Sequence, residues 1–131
     1  MKVLTIKQPF ATLIAEGYKE YEFRTWKTKY RGEFYIHAGM GVDREAMKRF
    51  EYLNLEYPQG VILARCDLVD CVLIDEDMKK MLKEKDPIVY YGAISKREED
   101  KPDYGFCLSH VEKIEPIPAK GKLSFWEYKK D

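Results

Sequence analysis

The side chains best suited to chemistry in this chain lie between positions 17 and 24. The segment reads GYKEYEFR, so Gly17, Lys19, Glu22 and Arg24 follow a G-x-K-x-x-E-x-R spacing. Lys19 brings a point charge that pairs with phosphate, or a base if it is withdrawn from water. Glu22 can orient that amine, accept a hydrogen bond from a base amino group, or act as a general base. The planar Arg24 guanidinium matches phosphate geometry. We predict Lys19 and Glu22 as a catalytic pair and Arg24 as a ligand-binding residue.

Each of these three side chains also has an ordinary structural explanation. An exposed lysine that follows the end of a helix explains Lys19 as well. An ion pair on one strand face explains Glu22 and Arg24. Strict alternation along a strand places Lys19 and Glu22 on opposite faces. The two meet only if the chain bends between Gly17 and Glu20, which a glycine at a helix end permits. A shared cleft therefore depends on this bend.

Five further residues are predicted to contact a ligand. Trp26 can stack on a base, an interaction worth about 1–3 kcal/mol in single-strand binders, although a tryptophan that packs in the core explains it equally. Gln8 can read a base edge, and Pro9 starts a helix whose first backbone amides can receive an anion. Lys120 and Gly121 either bring a basic loop to the cleft or form an ordinary turn.

The elements that position these residues are short. Apolar residues at helical spacing predict a helix over 9–16, with Pro9 in its first turn and Gly17 as its stop. A first strand precedes this helix. Alternation predicts a second strand over 21–26, with Glu22, Arg24 and Trp26 on one face, and a third over 33–38.

The rest of the chain continues this mixture of strands and helices. We predict a helix capped by Asp43, a long strand or strand pair over 61–74 with an irregularity at 67–70, a helix that opens at Asp75, an exposed loop over 95–103, a strand over 104–114 and a last strand that ends near 125–126. Short strands with interspersed helices favour an α+β class, a small mixed β-barrel with helices packed outside.

Composition limits the function classes. The 131 residues hold 23 basic and 23 acidic side chains, so the net charge is zero, whereas strong non-specific DNA binders are usually basic. The length is typical of a single domain over residues 1–131. Basic residues nevertheless exceed acidic ones by three over 19–31 and by two over 120–131. Two basic zones at opposite ends of the chain can form one patch if they meet in space.

Cysteine and histidine usage points away from metal and disulfide chemistry. Cys66, Cys71 and Cys107 lie in apolar strand-like sequence and are predicted to be reduced thiols of a cytoplasmic protein. His37 and His110 are the two histidines, and no ligand spacing of a structural zinc site is present. No apolar run approaches the length of a membrane span, and the first residues lack a signal peptide's apolar stretch. We expect no cofactor, no metal and no membrane contact.

Several patches of the sequence together resemble the ASCH domain of the PUA-like superfamily, in the form found in a transcriptional coactivator and in free-standing prokaryotic proteins. The patches are TIKQPFATLI at 5–14, the G-x-K-x-x-E-x-R motif, Trp26 with YRG at 30–32, CDLVDC at 66–71, and P-x-K-G at 118–121 followed by Trp126. The resemblance implies a PUA-like β-barrel with a cleft beside the first helix, lined by the motif. It implies a nucleic-acid or nucleotide ligand, above all RNA.

The resemblance leaves three kinds of function open. The first is an RNA- or nucleotide-binding module. The second is a hydrolase, because one branch resembles acetylcytidine amidohydrolases and other members have been described as ribonucleases. In the amidohydrolase branch Lys19 keeps the lysine position, whereas Glu22 stands where a threonine nucleophile is expected, and a carboxylate does not copy the hydroxyl mechanism. The third is a protein-interaction adaptor in transcriptional or translational regulation, which predicts an exposed apolar patch outside the cleft.

Overall fold

Strands and short helices alternate in a computed structural model that describes residues 1–97 and 99–130. The strands are β1 (Lys2–Gln8), β2 (Tyr21–Arg24), β3 (Gly32–Val42), β4 (Val61–Leu73), β5 (Tyr104–Pro118) and β6 (Phe125–Glu127). The helices are α1 (Phe10–Ala15), α2 (Arg44–Arg49), α3 (Glu76–Lys85) and α4 (Tyr91–Ile94), with a 3-10 turn at Glu51–Leu53. Among the described residues, no helix has both the length and the apolar character needed to cross a membrane.

The six strands form one mixed sheet in the order β2-β5-β4-β3-β1-β6. β1 runs parallel to β3, and the other neighbouring pairs are antiparallel. The predicted α+β class is therefore confirmed. In the part of the chain that the structure describes, no hydrogen-bonded ladder joins β2 to β6. The expected closed barrel is not confirmed, because these two short edge strands, of four and three residues, each pair on one side alone.

The structure differs from the predicted elements at several ends, β3 continues to Val42 instead of ending at position 38, and the short helix α4 was not predicted. β2 ends at Arg24, two residues before the predicted end, and β5 continues to Pro118 instead of ending near position 114. The irregularity predicted at 67–70 is present, because the register of β4 against β5 shifts between Leu68 and Asp70. Asp43 caps α2 by accepting a hydrogen bond from the Ala46 amide at 3.0 Å.

The core has two parts, and α1 packs against both. Ala11 and Ile14 of α1 belong to the part that lies on the sheet, which includes Phe34 and Phe106. Leu13 belongs to the part formed with α2, α3 and α4. Because α1 is buried on these two sides, the chain that leaves it at Gly17 starts from a fixed position. This end of α1 is where the charged segment begins.

Candidate ligand-binding site

The end of α1 turns Lys19 toward the protein interior. Gly17 adopts a left-handed φ of 85°, a conformation that glycine takes without steric cost. The Leu13 carbonyl then accepts hydrogen bonds from the amides of Tyr18, at 2.9 Å, and Lys19, at 3.2 Å. This turn is the bend between Gly17 and Glu20 that Lys19 and Glu22 need in order to lie on the same side. As a result Lys19 Nζ lies 3.3 Å from Glu22 Oε1.

Glu22 is held between two cations. Its Oε1 faces Lys19, and its Oε2 lies 3.0 Å from Arg24 Nη2. Lys19 also donates a hydrogen bond to the Tyr21 carbonyl, and Arg24 Nη2 donates to the Thr5 carbonyl at 2.7 Å. Residue exposure is 3% for Lys19 and 6% for Glu22. The structure thus brings together the three predicted charged residues in one cluster, in which Lys19 and Glu22 are buried and Arg24 is partly exposed.

Burial changes the protonation chemistry of Lys19. Loss of water around the amine lowers the pKa of Lys19 from its usual 10.5, the Glu22 carboxylate opposes this shift, and the Arg24 charge adds to it. The Phe23 ring centroid lies 4.2 Å from Nζ and that of Phe10 lies 5.5 Å away, so aromatic rings replace much of the water. An amine of lowered proton affinity therefore stands beside a carboxylate.

The cluster forms part of the wall of a cavity of about 530 Å³. This volume falls within the range of small-molecule sites. One side of the cavity comes from α1 and the charged segment, and another from β1, β3 and the chain before β6. Its lining residues are Thr5, Lys7, Phe10, Lys19, Glu22, Phe23, Arg24, Gly39, Met40, Gly41, Asp43, Val89, Gly92, Lys122, Leu123 and Ser124. Lys19, Glu22 and Arg24 are the predicted site residues among them.

Gln8 and Pro9 lie outside this lining. Gln8 is fully buried, and its Nε2 donates to Thr12 Oγ1 and to the Pro58 carbonyl, each at 2.8 Å. Its Oε1 accepts from the Thr12 amide at 3.0 Å. Pro9 is buried at the start of α1, where its carbonyl accepts from the Leu13 amide at 3.0 Å. The Gln8 amide is thus committed to holding the start of α1.

Trp26, Lys120 and Gly121 also lie outside the lining. Trp26 is half-buried and packs edge-on against Phe106, with ring centroids 5.2 Å apart. Lys120 is exposed. Gly121 packs closely on β1 and β3, because a Cβ at this position would stand 2.9 Å from Thr5 and 3.0 Å from His37. Of these three residues, Gly121 packs against a lining residue, Thr5.

A hydrogen-bond chain through His37 holds the segment 119–124 that the sequence reasoning did not place. His37 Nε2 lies 2.7 Å from the Ala119 carbonyl oxygen, which accepts hydrogen bonds and cannot donate them. Nε2 therefore carries the proton, and in the neutral ring Nδ1 accepts from the Thr5 hydroxyl at 3.2 Å. Thr5 Oγ1 accepts in turn from Trp126 Nε1 at 3.0 Å. These bonds fix the wall that carries Lys122, Leu123 and Ser124.

The sequence reasoning missed Lys7 and Lys122 as lining residues. Lys7 lies two positions after Thr5 on β1, so alternation puts both on the same face. This period-two relation is the signal that could have found Lys7. No local signal indicates Lys122, because its place depends on β6 pairing with β1 across 121 positions, as between Leu4 and Phe125. Among the described residues, no group of three His, Cys, Asp or Glu side chains is arranged to hold a metal ion.

Comparison with known proteins gives relatives of sequence and of fold. The chain is 29% identical over 137 residues to human activating signal cointegrator 1 (Homo sapiens) and 28% identical to the mouse protein (Mus musculus). Each alignment covers 95% of this chain and 22% of the relative, so the chain spans about a fifth of the length of these proteins.

Solved structures give the same architecture. The crystal structure of ASCH from Zymomonas mobilis matches with a TM-score of 0.59 at 18% identity, over 89% of this chain and 72% of that one. A point mutant of the same protein matches with a TM-score of 0.57 at 18% identity, over 89% and 74%. At this identity the likeness establishes the fold alone. The family model described as ASCH domain matches residues 4–118. The chain therefore belongs to the ASCH domain family.

Proposed function

We propose that the chain is an RNA- or nucleotide-binding module that receives its ligand in the cavity beside Lys19, Glu22 and Arg24. The observation that carries this proposal is the Lys19–Glu22–Arg24 cluster, with its buried amine and carboxylate, in the wall of a cavity of about 530 Å³. Membership of the ASCH family supports it, because the PUA-like fold of that family is an RNA-binding fold.

The lining residues suit a heterocycle. Phe10, Phe23 and Val89 offer apolar and aromatic surface to a base. Each Glu22 oxygen faces one cation and keeps a second lone pair, so the carboxylate can accept a hydrogen bond from an exocyclic amino group. Arg24 keeps guanidinium donors besides the two contacts of Nη2, and these can bind oxygen atoms of the base or the sugar. In this proposal Gln8, Pro9, Trp26, Lys120 and Gly121, which lie outside the lining, do not contact the ligand.

A binding titration tests the proposal. We expect a fluorescently labelled short single-stranded RNA to bind the wild-type protein in an anisotropy assay. Glu22→Gln keeps the shape of the side chain and removes its charge, and should weaken binding about tenfold, which corresponds to about 1.4 kcal/mol. The matched control is Lys83→Ala, which changes an exposed lysine of α3 outside the cavity lining. Unchanged affinity in Glu22→Gln and Arg24→Lys would place the RNA elsewhere on the surface.

A second candidate function is hydrolysis of a modified nucleoside amide or of an RNA phosphodiester bond. One observation favours it: the Lys19 amine has a lowered pKa and lies 3.3 Å from the Glu22 carboxylate in the same cavity. Such a pair can transfer protons to and from a reacting group. The test incubates the protein with acetylated cytidine and with short RNAs, and product formation should disappear in Lys19→Met. Turnover that persists in this variant would remove Lys19 from the chemistry.

The adaptor function receives less support from the surface. It requires an exposed apolar patch outside the cleft. Among the described residues, the two most exposed large apolar side chains are Leu123, at 94%, and Met40, at 75%. Both line the cavity. Tyr52, at 66%, and Val69, at 54%, are exposed outside the lining, so the exposed apolar surface is divided between the cavity rim and other faces.

A further inference from the structure

The charges inside the cavity are already committed to protein groups. Lys19 donates to Glu22 and to the Tyr21 carbonyl, and Arg24 donates to Glu22 and to the Thr5 carbonyl. An incoming phosphate that drew Lys19 Nζ or Arg24 Nη2 away would leave the nearly buried Glu22 carboxylate with one partner fewer, and a phosphate held by the other Arg24 donors would stand close to that negative charge. The interior cluster therefore suits the neutral, polar part of a ligand better than its phosphate.

Two other cations of the lining remain available. Lys7 on β1 and Lys122 in the segment before β6 both line the cavity and are both exposed. Within residues 1–97 and 99–130, neither forms an ion pair with a carboxylate. Lys122 Nζ lies 5.9 Å from the Trp126 ring centroid, which leaves its ammonium hydrogens free for an anion. Because both residues are exposed and line the cavity, we infer that they lie at its solvent-facing edge.

The charge balance of the lining agrees with an anionic ligand. The lining has four cationic side chains, Lys7, Lys19, Arg24 and Lys122, and two anionic ones, Glu22 and Asp43. The excess is two positive charges, in a chain whose net charge is zero. Asp43 already accepts the capping hydrogen bond of α2. Lys19, Arg24 and Glu22 together carry one net positive charge, whereas Lys7 and Lys122 carry two and form no ion pair within the described residues, so the larger part of the positive charge lies with this exposed pair.

We propose that Lys7 and Lys122 form a phosphate clamp at the mouth of the cavity, so that the site selects nucleotides and RNA over free nucleosides. The base enters toward Glu22 while its phosphate stays at the solvent edge between the two lysines. Leu123, which follows Lys122 and is 94% exposed, offers apolar contact to the sugar or to a neighbouring base. Lys122 lies beyond the residues matched by the ASCH family model, which end at 118.

This clamp rests on the proposed function, and the experiment separates the two. Anisotropy titrations with a labelled short single-stranded RNA are run over a salt series for wild type, Lys7→Ala, Lys122→Ala and Lys120→Ala. Each phosphate contact contributes about 0.7 to the slope of log K against log salt for single strands. We expect the magnitude of this negative slope to decrease by about 0.7 in Lys7→Ala and in Lys122→Ala. It should stay unchanged in Lys120→Ala, which alters an exposed lysine of the same segment outside the lining.

Calorimetric titrations distinguish a free nucleotide from a strand as the source of the phosphate. A nucleoside 5′-monophosphate should bind wild type at least about tenfold more tightly than the nucleoside, and this preference should vanish in the Lys7→Ala/Lys122→Ala double variant. A preference for RNA without one for the monophosphate would assign the clamp to phosphates of a strand. RNA binding with an unchanged salt slope in both single variants would overturn the clamp and leave the proposed function standing. Absence of any binding by wild type would overturn both.

Discussion

Lys19 Nζ lies 3.3 Å from Glu22 Oε1, although the alternation of a strand would put these two residues on opposite faces. The turn at Gly17 brings them together, and both side chains are almost fully withdrawn from solvent. Two opposite charges in a region of low dielectric interact strongly and are costly to separate. Each of the first three predictions below follows from this pair.

The pKa of Lys19 should respond in opposite directions to changes at its two charged neighbours. Glu22→Gln removes the carboxylate that raises the pKa of Lys19, so this pKa should fall further below 10.5. Arg24→Met removes a repelling cation, so the pKa of Lys19 should rise. NMR titration of the Lys19 Cε and Nζ resonances in specifically labelled protein measures both shifts. An upward shift in Glu22→Gln would contradict the account of the cluster.

The same lowered pKa makes stability depend on pH. Between the folded pKa of Lys19 and the unfolded value near 10.5, the unfolded chain binds more protons than the native one. The free energy of unfolding contributed by Lys19 therefore rises with pH through this window, and its cost is fully present below the folded pKa. Urea unfolding of wild type and Lys19→Met over a pH series isolates this contribution as the difference between the two curves. A difference that is flat across the window would refute it.

Removing either member of the buried pair should lower the free energy of unfolding. Removing both should cost less than the sum of the two single losses. We expect Glu22→Gln and Lys19→Met each to lower the free energy of unfolding, by up to about 3–5 kcal/mol for loss of one partner of a buried pair. The double variant should lose less than the sum of the two, by about 0.5–3 kcal/mol. Urea unfolding of the four proteins measures this coupling. Strictly additive losses would mean that the two side chains do not interact.

Gln8 should act on stability and not on ligand affinity. Gln8→Ala leaves the Pro58 carbonyl and the Thr12 side chain without their donor, so the free energy of unfolding should fall by about 1–3 kcal/mol. At temperatures where the variant is fully folded, RNA affinity should stay within about twofold of wild type. Affinity is measured by anisotropy, and folding by circular dichroism in the same buffer. A large loss of affinity in folded protein would instead support base reading by Gln8.

The thiol of Cys66 should be inert until the chain unfolds. Burial raises the pKa of Cys66 to about 12 and that of Cys107 to about 11. At pH 8 the thiolate fraction of Cys66 is then about one part in ten thousand. Labelling with a chromogenic disulfide reagent should give the same fast phase in wild type and in Cys66→Ala, and one thiol fewer for the variant in denaturant. Loss of the fast phase in Cys66→Ala would show that Cys66 is accessible in the native state.

Local patterns predicted much of the fold and part of the site. The sequence predicted the end of α1 at Gly17 and the helix caps at Asp43 and Asp75. Each of these features depends on residues within one helical turn. Lys19 and Glu22 were chosen from their spacing, and the structure brings them into contact.

The pairing of strands that are distant in sequence could not be predicted in the same way. Parallel pairing of β1 with β3, and pairing of β6 with β1, join segments that are distant in sequence, and no local period records them. For this reason Lys122 was missed, whereas Lys120, the lysine two positions earlier in the same segment, was chosen. Trp26 was assigned to a face by alternation, but β2 ends at Arg24, so the residue packs on Phe106 instead.

The hydrogen bond from Arg24 to the Thr5 carbonyl shows how far the sheet must curl. β2 and β1 are four positions apart in the strand order, and in a flat sheet they would stand about 19 Å from each other, beyond the reach of an arginine. Trp26, just after β2, also touches Phe125 of β6 at the opposite edge, with ring centroids 5.9 Å apart. Within the described residues, the two edge strands of the sheet therefore face one another without main-chain hydrogen bonds between them. The cavity borders this gap, because Glu22 and Arg24 of β2 and Ser124, next to β6, all line it. Main-chain hydrogen bonds between the two edges would set the strands about 4.8 Å apart, so they would draw these walls together and reduce the cavity.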